Sequence, residues 1–189
     1  EIVAVMRGEG VGGAVVARLP QRLPVHAAGD LGCDTAPFDR GEQQVLPEAQ
    51  WQAVDLSRAM LHEAAERGRF NERYQPLCAD AEQLPVSDAS QGLVFSCFAL
   101  QRCDPHAVLK EVGRVLSPGG RLLLAVPLAG SLHELQLSWQ AVNRRPHVNA
   151  LPDFKDWQSA ALQAGFVDAE LQQQVMVEYY DLLTLPTIV

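Results

Sequence analysis

The sequence predicts an α/β domain built on a doubly wound, mostly parallel sheet with helices on both faces. Three observations predict it. Strand-like and helix-like segments alternate through most of the chain, the pattern of a parallel sheet with crossover helices. Residues 92–100 and 122–126 are nearly continuous apolar runs, as expected of strands buried on both faces. The helices carry start and stop signals: Ser57 before 58–67 and Gly68 after it, Asp104 followed by Pro105, and Gly165 after 153–164.

In chain order, residues 2–23 mix Gly with Val, Ala and Arg. Val11, Val15, Val16 and Leu19 fall near helical spacing, so a helix is expected there, bounded by Pro20 and Pro24. Residues 26–31 read as a short strand running into a loop, and 50–56 as a second strand with Trp51, Ala53, Val54 and Leu56. A third strand is expected at 74–80 and a fourth at 92–100. Val108, Leu109, Val112, Val115 and Leu116 form the apolar stripe of the helix after Asp104. Ser117-Pro118-Gly119-Gly120 reads as a sharp turn into the strand at 122–126. Helices follow at 131–142 and 153–164, then a strand at 166–177; residues 178–189 carry no clear pattern. All of this fits one domain over 1–189, with an N-terminal helical segment (1–24), a core (25–127) and closing elements (128–189).

Composition narrows the functions. The chain has 189 residues, 48% of them hydrophobic, enough for a proper core and too many for disorder. Its net charge of -8 argues against nucleic acid, whose phosphates need clustered Lys and Arg; here Arg144-Arg145 is the one short basic cluster. No apolar stretch has the length of a membrane span, and the residues from Glu1 lack the basic start and apolar run of a signal peptide. Cys33, Cys78, Cys97 and Cys103 form no CxxC pair and have no His at zinc spacing, so reduced core thiols, no metal and a cytoplasmic location are expected.

In a parallel sheet, ligands bind beyond the C-terminal ends of the strands, where strand order reverses. The first such turn is Asp30-Leu31-Gly32-Cys33-Asp34-Thr35-Ala36. Its Gly lets a ligand approach the backbone closely, though an ordinary tight turn explains it equally well. It is neither GxGxxG nor a Walker loop, which argues against dinucleotides and nucleoside triphosphates. Asp55 ends the second strand, roughly twenty residues on, where a carboxylate can accept both hydroxyls of a ribose. The same position suits an acidic residue at a helix N-terminus. Asp80, at the third strand end, can accept an adenine amino group or simply serve a turn.

The order of DLGCDTAPF, WQAVDLSRAML, CADAEQLPVSD, GLVFSCFALQRCD and VLKEVGRVLSPGGRLLLAVP resembles the class I S-adenosylmethionine methyltransferases over roughly residues 25 to 127. The resemblance implies the Rossmann-like methyltransferase fold and S-adenosylmethionine as cofactor. The cofactor-binding set it implies is Asp30, Gly32, Cys33, Asp55, Leu56, Asp80, Ala81 and Ser96. In it the first loop holds the methionine part, Asp55 the ribose, and Asp80 with Ala81 faces the adenine. A narrower likeness lies in GSLHEL, Trp139, HVN at 147–149 and ALQRCD, which are similar to the malonyl-acyl carrier protein O-methyltransferases of biotin synthesis. That family usually carries Trp at the position of Arg102. The activity implied is methylation of the free carboxylate of a malonyl thioester.

Two residues depart from the family's GCGTG loop: Asp34 replaces the middle glycine and Ala36 the last. Asp34 places a side chain where backbone meets ligand, demands a positive φ, and sets a carboxylate near the cofactor's own. The departure bears on activity more than on fold. The chain also leaves only 166–177 and 186–189 for the antiparallel hairpin with which the family closes its sheet.

A carboxylate nucleophile is already ionised at neutral pH. No catalytic base is therefore expected, and rate comes from positioning and desolvation. The candidates to hold the substrate carboxylate are Arg144, Arg145, His133, His147 and Asn149, the Arg pair through its bidentate fork. If the substrate rides on acyl carrier protein, that acidic partner needs a local basic patch, for which Arg102, Arg144 and Arg145 are available. The alternatives are a degenerate methyltransferase-fold binding protein without activity, or a class I methyltransferase acting on a lipid, quinone or other small molecule.

Overall fold

The computed structural model describes residues 2–4, 25–36, 43–44, 46–142, 149–167, 169–171 and 173. Its centre is a seven-stranded sheet: β1 (Ile2–Ala4), β2 (Ala27–Leu31), β3 (Gln50–Asp55), β4 (Tyr74–Cys78), β5 (Gln91–Cys97), β6 (Leu116–Ala125) and β7 (Glu170–Leu171). The strands lie in the order β4-β3-β2-β5-β6-β1-β7, and every described pairing is parallel. Winding runs outward from β2 through β3 to β4, then returns to the other side of β2 with β5. The reversal of strand order therefore falls between β2 and β5.

Among the described residues there are four helices: α1 (Arg58–Glu66), α2 (Pro105–Val115), α3 (His133–Val142) and α4 (Phe154–Gln163). On one face, Leu61 and Ala64 of α1 join Trp51, Tyr74, Leu93 and Phe95 in a buried cluster. On the other, Val108, Val112 and Val115 of α2 and Trp157 and Ala160 of α4 pack with Leu31, Val94, Leu122 and Leu124. The two clusters alternate along β5 and β6, as the two-residue period of a strand requires. The structure is thus the doubly wound α/β fold read from the sequence.

The caps at Ser57 and Asp104 fall where the sequence places them: Ser57 receives the Met60 N–H, and Asp104 receives the His106 N–H ahead of Pro105. The helix expected from Asp153 starts at Phe154, with Asp153 as its cap in a reciprocal capping box with Asp156. Gly68 and Gly165, at φ 65° and 82°, end α1 and α4 in the left-handed conformation that glycine adopts freely.

Four expectations change. Residues 2–4 are a strand beside β6, not part of a helix; the helix expected around Val11 to Leu19 lies outside the described residues. The apolar run at 92–100 stops as a strand at Cys97, because Phe98 turns the chain at φ 54° into a single 3-10 turn, Leu100–Arg102. The Ser117–Gly120 turn is a bulge inside β6: Gln91 pairs with Leu116 and Leu93 with Arg121, so the four residues 117–120 face Gly92 alone. The strand expected at 166–177 is Glu170–Leu171 among the described residues, and it pairs with β1 in parallel; residues 174–189 lie outside them.

Candidate functional site

Register brings the informative turns to one rim. Leu31 is opposite Val54, and Asp55 is opposite Cys78, so the residues that follow β2, β3 and β4 leave the sheet side by side. The Gly32 and Cys33 N–H groups both donate to the Val54 carbonyl, at 2.7 and 3.0 Å, and Ala79 N–H donates to the Asp55 carbonyl at 3.1 Å. The Gly32 turn, Asp55 and the Asp80 turn are therefore contiguous, at the edge where strand order reverses.

Gly32 is required twice over. Its φ is +70°, and a Cβ there would stand 2.0 Å from the Cβ of Ala99, which enters the rim after β5. Carbon atoms do not tolerate that separation, so no side chain fits. Beyond Gly32, Asp34 and Ala36 adopt φ 51° and 52°, the strained conformation anticipated for Asp34. The Asp34 side chain is exposed, and its N–H donates to Asp55 Oδ2 at 2.9 Å. Asp55 Oδ1 accepts the Ser57 N–H at 2.7 Å. One carboxylate thus ties the first loop to the start of α1. Each oxygen keeps a lone pair for a further donor.

Beside it, Leu56 is 72% exposed, a large apolar side chain standing free at the rim. Asp80 is exposed; its Oδ1 accepts the Glu82 N–H at 2.9 Å, and its carbonyl accepts the Gln83 N–H. Ala81 is half-buried next to it. Cys103 faces the same turn. Burial first, then the negative charges of Glu82 and Asp80, push its thiol up to about 11, so it stays protonated at neutral pH and is no nucleophile.

Three residues of the predicted set lie behind the rim. Asp30 is 2% exposed and accepts the Tyr74 hydroxyl at 2.5 Å. Ser96 is fully buried and donates to the Leu31 carbonyl at 2.7 Å, bracing β2 where the turn begins. Cys33 is buried within the Trp51–Tyr74 cluster. Of the four cysteines, Cys78 is exposed rather than part of the core. Tyr74, Ala99 and the left-handed Phe98 were not singled out from the sequence; nothing local marks them, since each acts through a partner distant in the chain.

Of the predicted substrate residues, His133 and Asn149 are described, and they lie on one excursion. Ala129 N–H donates to the Pro152 carbonyl at 3.0 Å, closing the base of a segment that contains α3. His133 opens α3 and is exposed; Asn149 is exposed near the far end. Arg144, Arg145 and His147 lie outside the described residues. No residue of α3 is buried, and Leu137, Trp139 and Val142 are exposed. Among the described residues no cluster of His, Cys, Asp or Glu has the arrangement of a metal site, and no helix is long and apolar enough to cross a membrane.

Residues 30–124 match the methyltransferase domain family. The chain belongs to that family. It is 74% identical over 171 residues to the malonyl-acyl-carrier protein O-methyltransferase of Alcanivorax borkumensis, covering 90% of this chain and 59% of the relative. It is 37% identical over 154 residues to the protein of the same description from Hahella chejuensis, covering 80% and 54%. The chain thus spans little more than half the length of these curated relatives. A solved geranyl diphosphate methyltransferase in complex with SAM superposes with a TM-score of 0.65 at 14% identity, covering 82% of this chain and 63% of that one. The 4+2 cyclase SpnF superposes with a TM-score of 0.59 at 21% identity, covering 82% and 56%. At such identities the likeness concerns the fold, which hosts more than one chemistry.

Proposed function

We propose that this protein transfers a methyl group from S-adenosylmethionine to the free carboxylate of a malonyl thioester carried on acyl carrier protein. One observation carries the reading. The Gly32 turn, Asp55 and the Asp80 turn share one rim, in a chain 74% identical over nine-tenths of its length to a relative described as a malonyl-acyl-carrier protein O-methyltransferase.

The rim residues fit an adenosyl group. Asp55 has acceptor capacity left on both oxygens for ribose hydroxyls. Leu56 supplies an exposed apolar surface for a purine, and Asp80 keeps Oδ2 for an amino group. The Gly32 turn brings backbone close to the methionine part, with its Gly32 and Cys33 N–H groups already bonded to Val54. Asp30 and Ser96 support this set from the interior. When bound, the cofactor supplies an electrophilic methyl on a sulfonium. The chain's own residues have two tasks: to hold the malonyl carboxylate in line, and to strip water from it. His133, Asn149, Arg144, Arg145 and His147 are assigned the first task. No general base is needed, because the attacking carboxylate is already ionised.

The test is mass spectrometry of a malonyl-carrier substrate incubated with protein and S-adenosylmethionine. Gain of one methyl group is expected, and charge reversal at Arg144 and Arg145 should weaken carrier-protein binding. An unmodified substrate, with S-adenosylhomocysteine bound normally, would move the assignment to another acceptor such as a lipid, a quinone or a small metabolite. Asp34 motivates a second reading, a methyltransferase-fold binding protein without chemistry, because its exposed carboxylate sits on a strained turn of the cofactor rim. Calorimetry separates the two: folded protein that shows no heat with S-adenosylhomocysteine fits only the second.

A further inference from the structure

The chain that follows the Asp80 turn is gripped by a side chain of α2, whose hydrogen bonds go to Leu84, Val86, Asp88 and Glu111. Arg114, near the end of α2, spends every N–H of its guanidinium. Nε donates to Glu111 Oε2 at 2.9 Å, and Nη2 donates to Glu111 Oε1 at 2.6 Å and to the Leu84 carbonyl at 3.0 Å. Nη1 donates to the Val86 carbonyl at 2.9 Å and to the Asp88 carboxylate. Glu111 Oε1 also accepts the Leu84 N–H at 2.8 Å, so the backbone of Leu84 is held on both its polar groups. One turn earlier, Glu82 Oε1 accepts the Asp104 N–H at 2.8 Å at the start of α2. The segment from Glu82 to Asp88 is thereby fastened along the length of α2. That helix is itself fixed by the buried Val108, Val112 and Val115.

We propose that Arg114, oriented by Glu111, is a positioning residue for adenine recognition: it sets the place of Asp80 and Ala81 by holding the chain that follows them. The inference rests on the reading of the rim as a cofactor site. Geometry supports it in two ways. The turn has no strand pairing beyond the Asp80–Gln83 bridge to define its path. Loops without such pairing take their position from side-chain contacts. And the fork shape is used in full: an ammonium has neither the planar spread nor the donors to reach two carbonyls and a bidentate carboxylate together.

The experiment compares wild type with Arg114→Lys by calorimetry against two probes, S-adenosylhomocysteine and S-inosylhomocysteine, which differ in the group at the purine 6-position. Wild type is expected to prefer the adenosyl compound. Arg114→Lys is expected to bind it at least tenfold more weakly and to lose most of that preference. In turnover, the KM for S-adenosylmethionine should rise by a similar factor, while kcat at saturating cofactor stays within about twofold. Thermal melting checks that the variant is folded; if it is not, Glu111→Gln, which keeps the side-chain shape, carries the same comparison. A folded variant with wild-type affinity overturns the proposal. So does one that binds both probes more weakly by the same factor, since that is a general loosening of the fold. Wild type that binds neither probe instead removes the cofactor reading on which the proposal stands.

Discussion

The two turns that flank Asp55 are held by opposite means. The Gly32–Ala36 loop is defined by backbone conformation: three left-handed residues, two of them not glycine, with its N–H groups spent on Val54 and Asp55. The Asp80–Asp88 segment has ordinary backbone up to Asp88 and is defined by side chains, chiefly Arg114 and Glu111 reaching from α2. The first solution places backbone close to a ligand and stores conformational strain. The second costs no backbone strain, but depends on a pair of charges. The two turns should therefore fail under different insults.

The sharpest break is at Asp55, which both solutions flank. Asp55→Ala removes the acceptor of the Asp34 and Ser57 N–H groups together and exposes the strain of the first loop. Hydrogen bonds to a charged group contribute about 1.5–3 kcal/mol each when buried, so a loss of about 2 kcal/mol of stability is expected at this half-exposed site. Affinity for S-adenosylhomocysteine should fall by about 100-fold, or about 2.7 kcal/mol. Denaturant melts and calorimetry on one preparation measure both. Unchanged affinity in the folded variant would remove Asp55 from the ribose role.

Much of this contrast was legible in the sequence, and the missing part has one physical cause. Elements with local signals were found: Ser57, Asp104-Pro105 and Gly165 mark helix ends through contacts within a few residues, and the nearly continuous apolar run at 92–100 declares a buried strand, which ends at Cys97. Asp34 drew notice because a carboxylate replaces glycine in a recognisable loop, and its φ is positive. Arg114 did not. Glu111 and Arg114 stand at the i,i+3 spacing of any surface helix pair, and the further partners of Arg114 lie 26 to 30 residues upstream. Tyr74 and Asp30, 44 residues apart, were hidden in the same way. Ser96 was placed on the correct strand but assigned a ligand, because sequence shows that a polar residue interrupts a core strand and not which way its hydroxyl points. The parallel strand at 2–4 escaped notice because three residues carry no periodicity.

Acid should loosen the second turn. The Arg114 hydrogen bond first, then the Leu84 N–H, hold the Glu111 carboxyl below the ordinary glutamate range, against the opposing effect of its burial. A carboxylate depressed in the folded state stabilises fully above its unfolded pKa of about 4.3, and that stabilisation drains away as pH falls through the folded value. Wild type should therefore exceed Glu111→Gln in stability at pH 6, with the gap narrowing steadily below about pH 4. Chemical denaturation across that range measures it. A gap that stays constant would mean that the charge of Glu111 does not hold the turn.

The smallest effect distinguishes strain from charge in the first loop. Asp34→Gly relieves a left-handed non-glycine residue, a gain of about 1 kcal/mol in the folded state, set against the greater freedom of glycine in the unfolded chain. Asparagine keeps the tolerance of aspartate for this conformation while removing its charge. If strain governs the loop, Asp34→Gly melts at or slightly above wild type, and Asp34→Asn melts with wild type. If charge governs binding, both variants bind S-adenosylhomocysteine more tightly by a similar factor, about three- to tenfold, because a carboxylate near the ligand's own carboxylate is gone. The factor should shrink as salt is raised through the range where the Debye length falls from about 30 Å to about 8 Å. Tighter binding by Asp34→Gly alone would assign the effect to backbone freedom. Weaker binding by both would show instead that the Asp34 carboxylate itself holds part of the ligand, most plainly its ammonium group.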